Sequence, residues 1–202
     1  MKLYYSPGAC SLAVHIALRE LGMRFEAVPV DLVKHELEDG TNYHDISPRG
    51  YVPVLEFDNG SRHSEVAALL QYVADQEPEQ ALIGRVGSER RLAVIEALAY
   101  VGTELHRVFS PWLWHKETAD STRTAVREKL AARFAELDEL FAQQDCIAGA
   151  YSVADAYAFA VLNWVNFLSI PIASFPSLRA YLTRVSSRPA VQAALRAEGL
   201  VR

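Results

Sequence analysis

The chain has 202 residues, with 20 Lys and Arg against 25 Asp and Glu, half of its residues hydrophobic and two cysteines. This is the composition of a packed globular protein of one domain or two small ones, and a net charge of −5 without a basic run argues against a nucleic-acid partner. Two cysteines are too few to staple a secreted fold, so free thiols in a reducing, cytoplasmic setting are expected.

Leu3-Tyr4-Tyr5 reads as a short strand ended by Pro7-Gly8, a break that comes before any apolar stretch long enough for a signal-peptide core. From Cys10 to Leu21 apolar residues recur at Leu12, Ile16 and Leu21, and Gly22 stops the pattern, which predicts a helix. Phe25 to Asp31 reads as a second strand, Val52 to Phe57 as a third, and Asp58-Asn59-Gly60 as a tight turn into a partner at Ser61 to His63. Ser64-Glu65 then opens a helix carrying Val66, Leu69, Leu70 and Val73 on one side. After the linker-like stretch from Glu77-Pro78-Glu79 through Gly84 and Gly87 the pattern turns helical. Four helices are predicted, marked by Leu92, Ile95, Ala99, Gly102 and His106; by Val126 to Phe141; by Tyr157, Val161, Trp164 and Leu168; and by Leu178 to Val185. The most apolar stretch, Val153 to Ile170, holds Asp155, Asn163 and Asn166, which suits a buried helix and not a membrane span. Ser152 with Asp155 three residues on is a capping box.

Cys10 follows a strand and a Pro-Gly turn and therefore sits at a helix start, where free amides and the helix dipole favour a thiolate. A buried, inert cysteine fits the same spacing equally well. Val52-Pro53 at the head of an internal strand points to a cis bond or to a backbone reserved for something else, and an edge-strand proline fits as well. Glu65 and Val66 at a helix start suit an amino-acid head group, the carboxylate for an ammonium and the amide for an anion, although Glu65 also simply favours the helix dipole. No set of His and Cys residues has metal-ligand spacing, so no metal is expected.

Taken in order, Lys2 to Leu12, Gly50-Tyr-Val-Pro-Val-Leu55, Ser64-Glu65 with Gln71 to Asp75, Glu104-Leu-His106, Ser152 to Tyr157 and Glu198-Gly-Leu200 resemble the glutathione S-transferase family, specifically its bacterial beta class, along the whole chain. The resemblance implies a thioredoxin-like α/β domain over residues 1–78, an all-α bundle over 88–202, a homodimer, and glutathione as co-substrate without a metal. It assigns Cys10 and His106 to the glutathione sulfur and Val52 to the cysteinyl backbone, with Pro53 cis. Glu65 and Val66 go to the γ-glutamyl group, and Thr103 and Glu104 approach from the helical domain, in some members across the dimer.

Three positions depart from the family pattern. His35, after Lys34, stands where a lysine for the glycyl carboxylate is usual, Val66 replaces a small or hydroxyl residue, and Ala99 replaces an asparagine. A weaker or pH-dependent glutathione site is the expected result. The expected activity is conjugation of glutathione to hydrophobic electrophiles, and the resemblance puts Tyr5, Phe109, Trp114, Tyr157 and Trp164 around the acceptor pocket, although core packing explains those aromatics equally well. A glutaredoxin-like thiol transferase working through a Cys10 mixed disulfide, and a non-enzymatic binding protein on the same fold, are the alternatives.

Overall fold

The computed structural model describes residues 1–77, 79 and 82–201; the expected boundary at Pro78 falls outside them. The first part builds a five-stranded sheet of β1 (Lys2–Tyr5), β2 (Glu26–Asp31), β3 (Glu36–Leu37), β4 (Val54–Glu56) and β5 (Arg62–Ser64), in the order β3-β2-β1-β4-β5. β1 and β2 run parallel across the crossover helix α1 (Ser11–Glu20), whereas β4 and β5 are antiparallel neighbours. The strand period of two divides the apolar residues between the faces. Leu3, Tyr5 and Leu55 point into the main core with α1 and α2 (Val66–Ala74), while Tyr4 and Val54 point into a smaller core with Tyr43, Ile46 and Val52. The two-residue β3 is too short to leave a periodic signal, and no strand is expected there from sequence.

The second part holds α3 (Glu89–Tyr100), a π-helical segment (Val101–His106), α4 (Arg107–Phe109), α5 (Asp120–Phe141), α6 (Val153–Leu162), α7 (Trp164–Phe167), α8 (Pro176–Ser186) and α9 (Pro189–Ala197). α5 keeps its predicted stripe, with Leu130, Phe134, Leu137 and Phe141 buried. Three expectations need correction. The buried face of α3 is Val94, Ala97 and Leu98, whereas Leu92 and Ile95 are exposed. The helix expected to run from Tyr157 to Leu168 breaks at Asn163, which separates α6 from α7. Finally, α9, which begins on Pro189 and buries Val191, Ala194 and Leu195 at helical spacing, is a helix that the four predicted ones leave out.

α1 packs on α2 below and on α6 and α9 of the helical part, so one continuous core runs through both parts. A polar thread accompanies it. Glu198 accepts the Gly8 N–H at 2.9 Å and sits 2.8 Å from the Nδ1 of His15, both side chains of that pair being fully buried. Arg19 Nε donates to His15 Nε2 at 3.1 Å, so the His15 proton lies on Nδ1 and is donated to Glu198. On its other side, the Gly8 carbonyl accepts from the Trp164 indole at 2.8 Å.

Candidate active site

Gly8, at φ +72° and with Phe167 3.0 Å from where a Cβ would stand, lets the chain turn from β1 into α1. The turn leaves Cys10 as the residue before the first turn of α1, almost fully buried, its Sγ donating to the Val52 carbonyl at 3.4 Å. Burial pushes the thiol up to about 12, against the pull of the amides of Cys10 and Ser11. The helix-start effect expected to favour a thiolate is therefore present, but desolvation outweighs it. Without a ligand Cys10 is a neutral thiol that donates a hydrogen bond.

Val52 is buried, its peptide bond to Pro53 is cis, and β4 pairing begins only at Val54. Its backbone is thus kept out of the ladder, facing the Cys10 thiol. Glu65 occupies a left-handed conformation, φ +72°, directly before α2. α2 is not capped by a side chain there; the Glu65 carbonyl serves the amides of Ala68 and Leu69, which leaves the amides of Val66 and Ala67 free at the helix start. The exposed Glu65 carboxylate meets Arg49 at 3.0 Å.

From the helical part, α6 packs on α1 and α2 and brings Tyr157, 4% exposed, into the same core as Cys10 and Val66. That hydroxyl lies 2.7 Å from His106 Nδ1, and the imidazole packs edge-on against Tyr157 and Trp164. Burial, with the neighbouring Arg107 charge adding to it, lowers His106 to about 4, so the ring is neutral at physiological pH. Cys10, Val52, the start of α2, Tyr157 and His106 are thereby linked into one site at the junction of the sheet and the helices.

Other sequence-predicted residues stand apart. Thr103 donates to the Ala99 carbonyl of its own helix at 3.0 Å. Glu104 is turned to α5, 2.9 Å from Arg133 Nε and 3.5 Å from Lys129, and the Arg133 hydrogen bond holds its carboxyl below the usual range. His35, φ +56°, rests against His44 with ring centroids 4.6 Å apart, and its Nδ1 is buried without a hydrogen-bond partner; Gly50 beside it has no Cβ to collide with either ring. Of the aromatics expected around an acceptor, Phe109 and Trp114 pack edge-on against Trp164, as His106 does. The Tyr157–His106 contact joins residues far apart in the chain and carried no signal in the sequence. A cleft of about 700 Å³ lies elsewhere, between the end of α1 and the start of α9, and no residue of the site lines it. Among the described residues no group of three or more His, Cys, Asp or Glu side chains is placed to hold a metal, and no helix is long and apolar enough to cross a membrane.

Comparison with known proteins bears on this site. Residues 8–76 match the family model of the glutathione S-transferase N-terminal domain, and residues 100–189 that of the C-terminal domain. The chain is 41% identical over 201 residues to the glutathione S-transferase GstA of Escherichia coli O157:H7, covering 99% of this chain and all of that one. It is 33% identical over 207 residues to the glutathione S-transferase GST-4.5 of Xanthomonas campestris pv. campestris, covering 99% and 100%. A sphingomonad glutathione S-transferase solved in complex with glutathione superposes with a TM-score of 0.94 at 44% identity over the full length of both chains. A beta-class enzyme of Sphingomonas chungbukensis does so with 0.95 at 42%, again over the full length of both.

Proposed function

Given that the chain belongs to the glutathione S-transferase family, we propose that it conjugates glutathione to small hydrophobic electrophiles at the junction described above, with residues 1–78 as the glutathione-binding unit and 88–202 as the helical unit. The observation that carries this reading is the convergence of four groups that keep bonding capacity to spare. These are the backbone of Val52, outside the ladder; the free amides of Val66 and Ala67; the thiol of Cys10; and the imidazole of His106.

In this reading Val52 pairs with the cysteinyl backbone of glutathione and draws its sulfur towards Cys10. The Val66 amide, at the positive end of α2, takes the γ-glutamyl carboxylate, and Glu65 takes the ammonium, sharing its charge with Arg49. The imidazole of His35 takes the glycyl carboxylate where a lysine is usual, through an edge other than its buried Nδ1. Cys10 turns its S–H from the Val52 carbonyl to the glutathione sulfur, and His106 adds a second polar contact. Catalysis is then orientation plus stabilisation of a thiolate that attacks an electrophilic carbon, displacing a leaving group or adding to an activated double bond. Trp114, exposed and backed edge-on by the buried Trp164, supplies an apolar wall for the acceptor.

A homodimer agrees with the exposed Leu92 and Ile95 on α3. Thr103 and Glu104 diverge from His106 and would serve the glutathione of the partner subunit. A cytoplasmic location agrees with the free thiols of Cys10 and Cys146.

The test compares wild type, Cys10→Ala and His106→Ala in a conjugation assay and a disulfide-reduction assay, with calorimetric titration of glutathione. Conjugation by the wild type is expected to exceed disulfide reduction and to fall in both variants. Disulfide reduction that dominates and vanishes with Cys10→Ala, together with a stable glutathione adduct on Cys10 by mass spectrometry, overturns the reading in favour of a thiol transferase.

A further inference from the structure

The Tyr157 hydroxyl is buried, and the one hydrogen-bond partner it has among the described residues is His106 Nδ1, at 2.7 Å. Burial, with the Glu65 carboxylate adding to it, raises the phenol above its ordinary value, so the hydroxyl keeps its proton. A buried hydroxyl that keeps its proton donates it wherever an acceptor is in reach, because an unmade bond costs the full desolvation of the group. The acceptor here is Nδ1. In a neutral imidazole, if one nitrogen accepts, the other carries the hydrogen.

We propose that Tyr157 is a positioning residue for conjugation: by donating to Nδ1 it holds His106 as the Nε2–H tautomer, which makes His106 a hydrogen-bond donor to the glutathione sulfur and not its base.

The proposal rests on the site reading above and deepens it. Surrounding contacts fix the ring as well as its proton: Trp164 packs edge-on against the imidazole at 5.1 Å between centroids, and Tyr157 itself does so at 5.8 Å. The charged or titratable groups near the pair are Arg107 beside His106, and Cys10 and Glu65 towards Tyr157. None of them is a hydrogen-bond partner of either ring.

The proton of the glutathione thiol therefore leaves to solvent, and His106 and Cys10 both act as donors that stabilise the sulfur anion left behind. In a substitution, the sulfur lone pair forms the new C–S bond while the leaving group departs with the electrons of the bond that breaks. In an addition, the carbon that receives the electron pair takes a proton from water. His106 is neutral before and after either step.

The test is read first on the full-length protein without ligand. In long-range proton–nitrogen spectra of protein with ¹⁵N-labelled histidine, assigned with His106→Gln, Nδ1 of His106 should resonate as an unprotonated nitrogen and Nε2 as a protonated one. Tyr157→Phe should move both towards the averaged values of a mixed tautomer. With glutathione bound, the ultraviolet absorbance of the thiolate followed against pH should show its ionisation about one pH unit higher in Tyr157→Phe. The matching kcat should be about tenfold lower at neutral pH and should recover at alkaline pH, with KM for glutathione within about twofold of wild type.

A wild-type spectrum with the proton on Nδ1 overturns the proposal, since Tyr157 would then be the acceptor. A Tyr157→Phe variant that loses activity equally at every pH overturns it too, because that is the signature of a structural role. A wild type that binds no glutathione removes the donor role by removing the sulfur, and it is told apart from a wrong tautomer because the nitrogen spectra need no ligand.

Discussion

Cys10 shows how position and environment can pull one side chain in opposite directions. The helix start offers amides to its sulfur, yet burial holds the thiol near 12. At pH 8 the thiol is therefore almost wholly protonated. Cys146, half-buried and pushed up to about 11 by burial, ionises more readily and is easier to reach. Iodoacetamide at pH 8 should therefore label Cys146 before Cys10, as peptide mass mapping will show; rapid labelling of Cys10 in the ligand-free protein would mean that its burial is not maintained. His106 gives a pH signature. Its value is about 4 in the folded chain against about 6.5 unfolded, so between the two the unfolded chain binds a proton that the folded chain refuses. Stability should fall as pH drops through 6.5, the loss being complete near 4 and amounting to about 3 kcal/mol. Urea titrations of wild type and His106→Gln across that range check it, because the variant lacks this part of the slope. At this scale the sequence carried the identities and positions of Cys10, Val52, Glu65 and His106, since turns and helix starts are local. It did not carry the ionisation of Cys10 or the partner of His106, both of which depend on side chains brought in from distant parts of the chain.

Among the elements, α6 is the most completely specified. Ser152 and Asp155 form the predicted capping box, and Asp155, fully buried, also accepts from the Ile147 amide at 2.9 Å and the Tyr181 hydroxyl at 3.1 Å. Asp155→Ala removes a cap, a loss of about 0.5–2 kcal/mol, and leaves further buried donors unpaired at about 1–3 kcal/mol each. A loss of at least about 2 kcal/mol is expected from chemical denaturation, and thermal unfolding equal to wild type would refute the assignment. α6 was legible because a cap is a local pattern with its own chemistry. The buried face of α3 was not: Leu92 and Ile95 are as apolar as Val94 and Leu98, and hydrophobicity alone does not say which of two faces meets the core. The break at Asn163 escaped for a related reason, since α6 is buried all round and α7 begins on the buried Trp164 and Val165, so no polar stripe marks a change of direction.

Across the whole molecule, α1 belongs to the sheet by sequence and to both parts by packing, and Gly8 is held from the helical side by Glu198 and Trp164 together. The two parts should accordingly unfold as one. All three tryptophans, Trp112, Trp114 and Trp164, lie in the helical part, whereas Cys10 lies in the other. The denaturant midpoint from tryptophan fluorescence should therefore coincide with the midpoint from exposure of Cys10 to a thiol reagent, and two separate midpoints would show the parts to be independent. The division into a mixed and a helical part was legible from a change of periodicity, while the seam between them was not, because it depends on single hydrogen bonds between distant residues. The π-helical segment bears on that seam in another way. A π turn holds one residue more than the α turn it replaces, so the segment Val101–His106 is a widened turn that takes up a surplus amino acid between α3 and α4. The chemistry of this protein therefore sits on a widened turn, with His106 at its end and Gly102, beside the Tyr157 hydroxyl, within it.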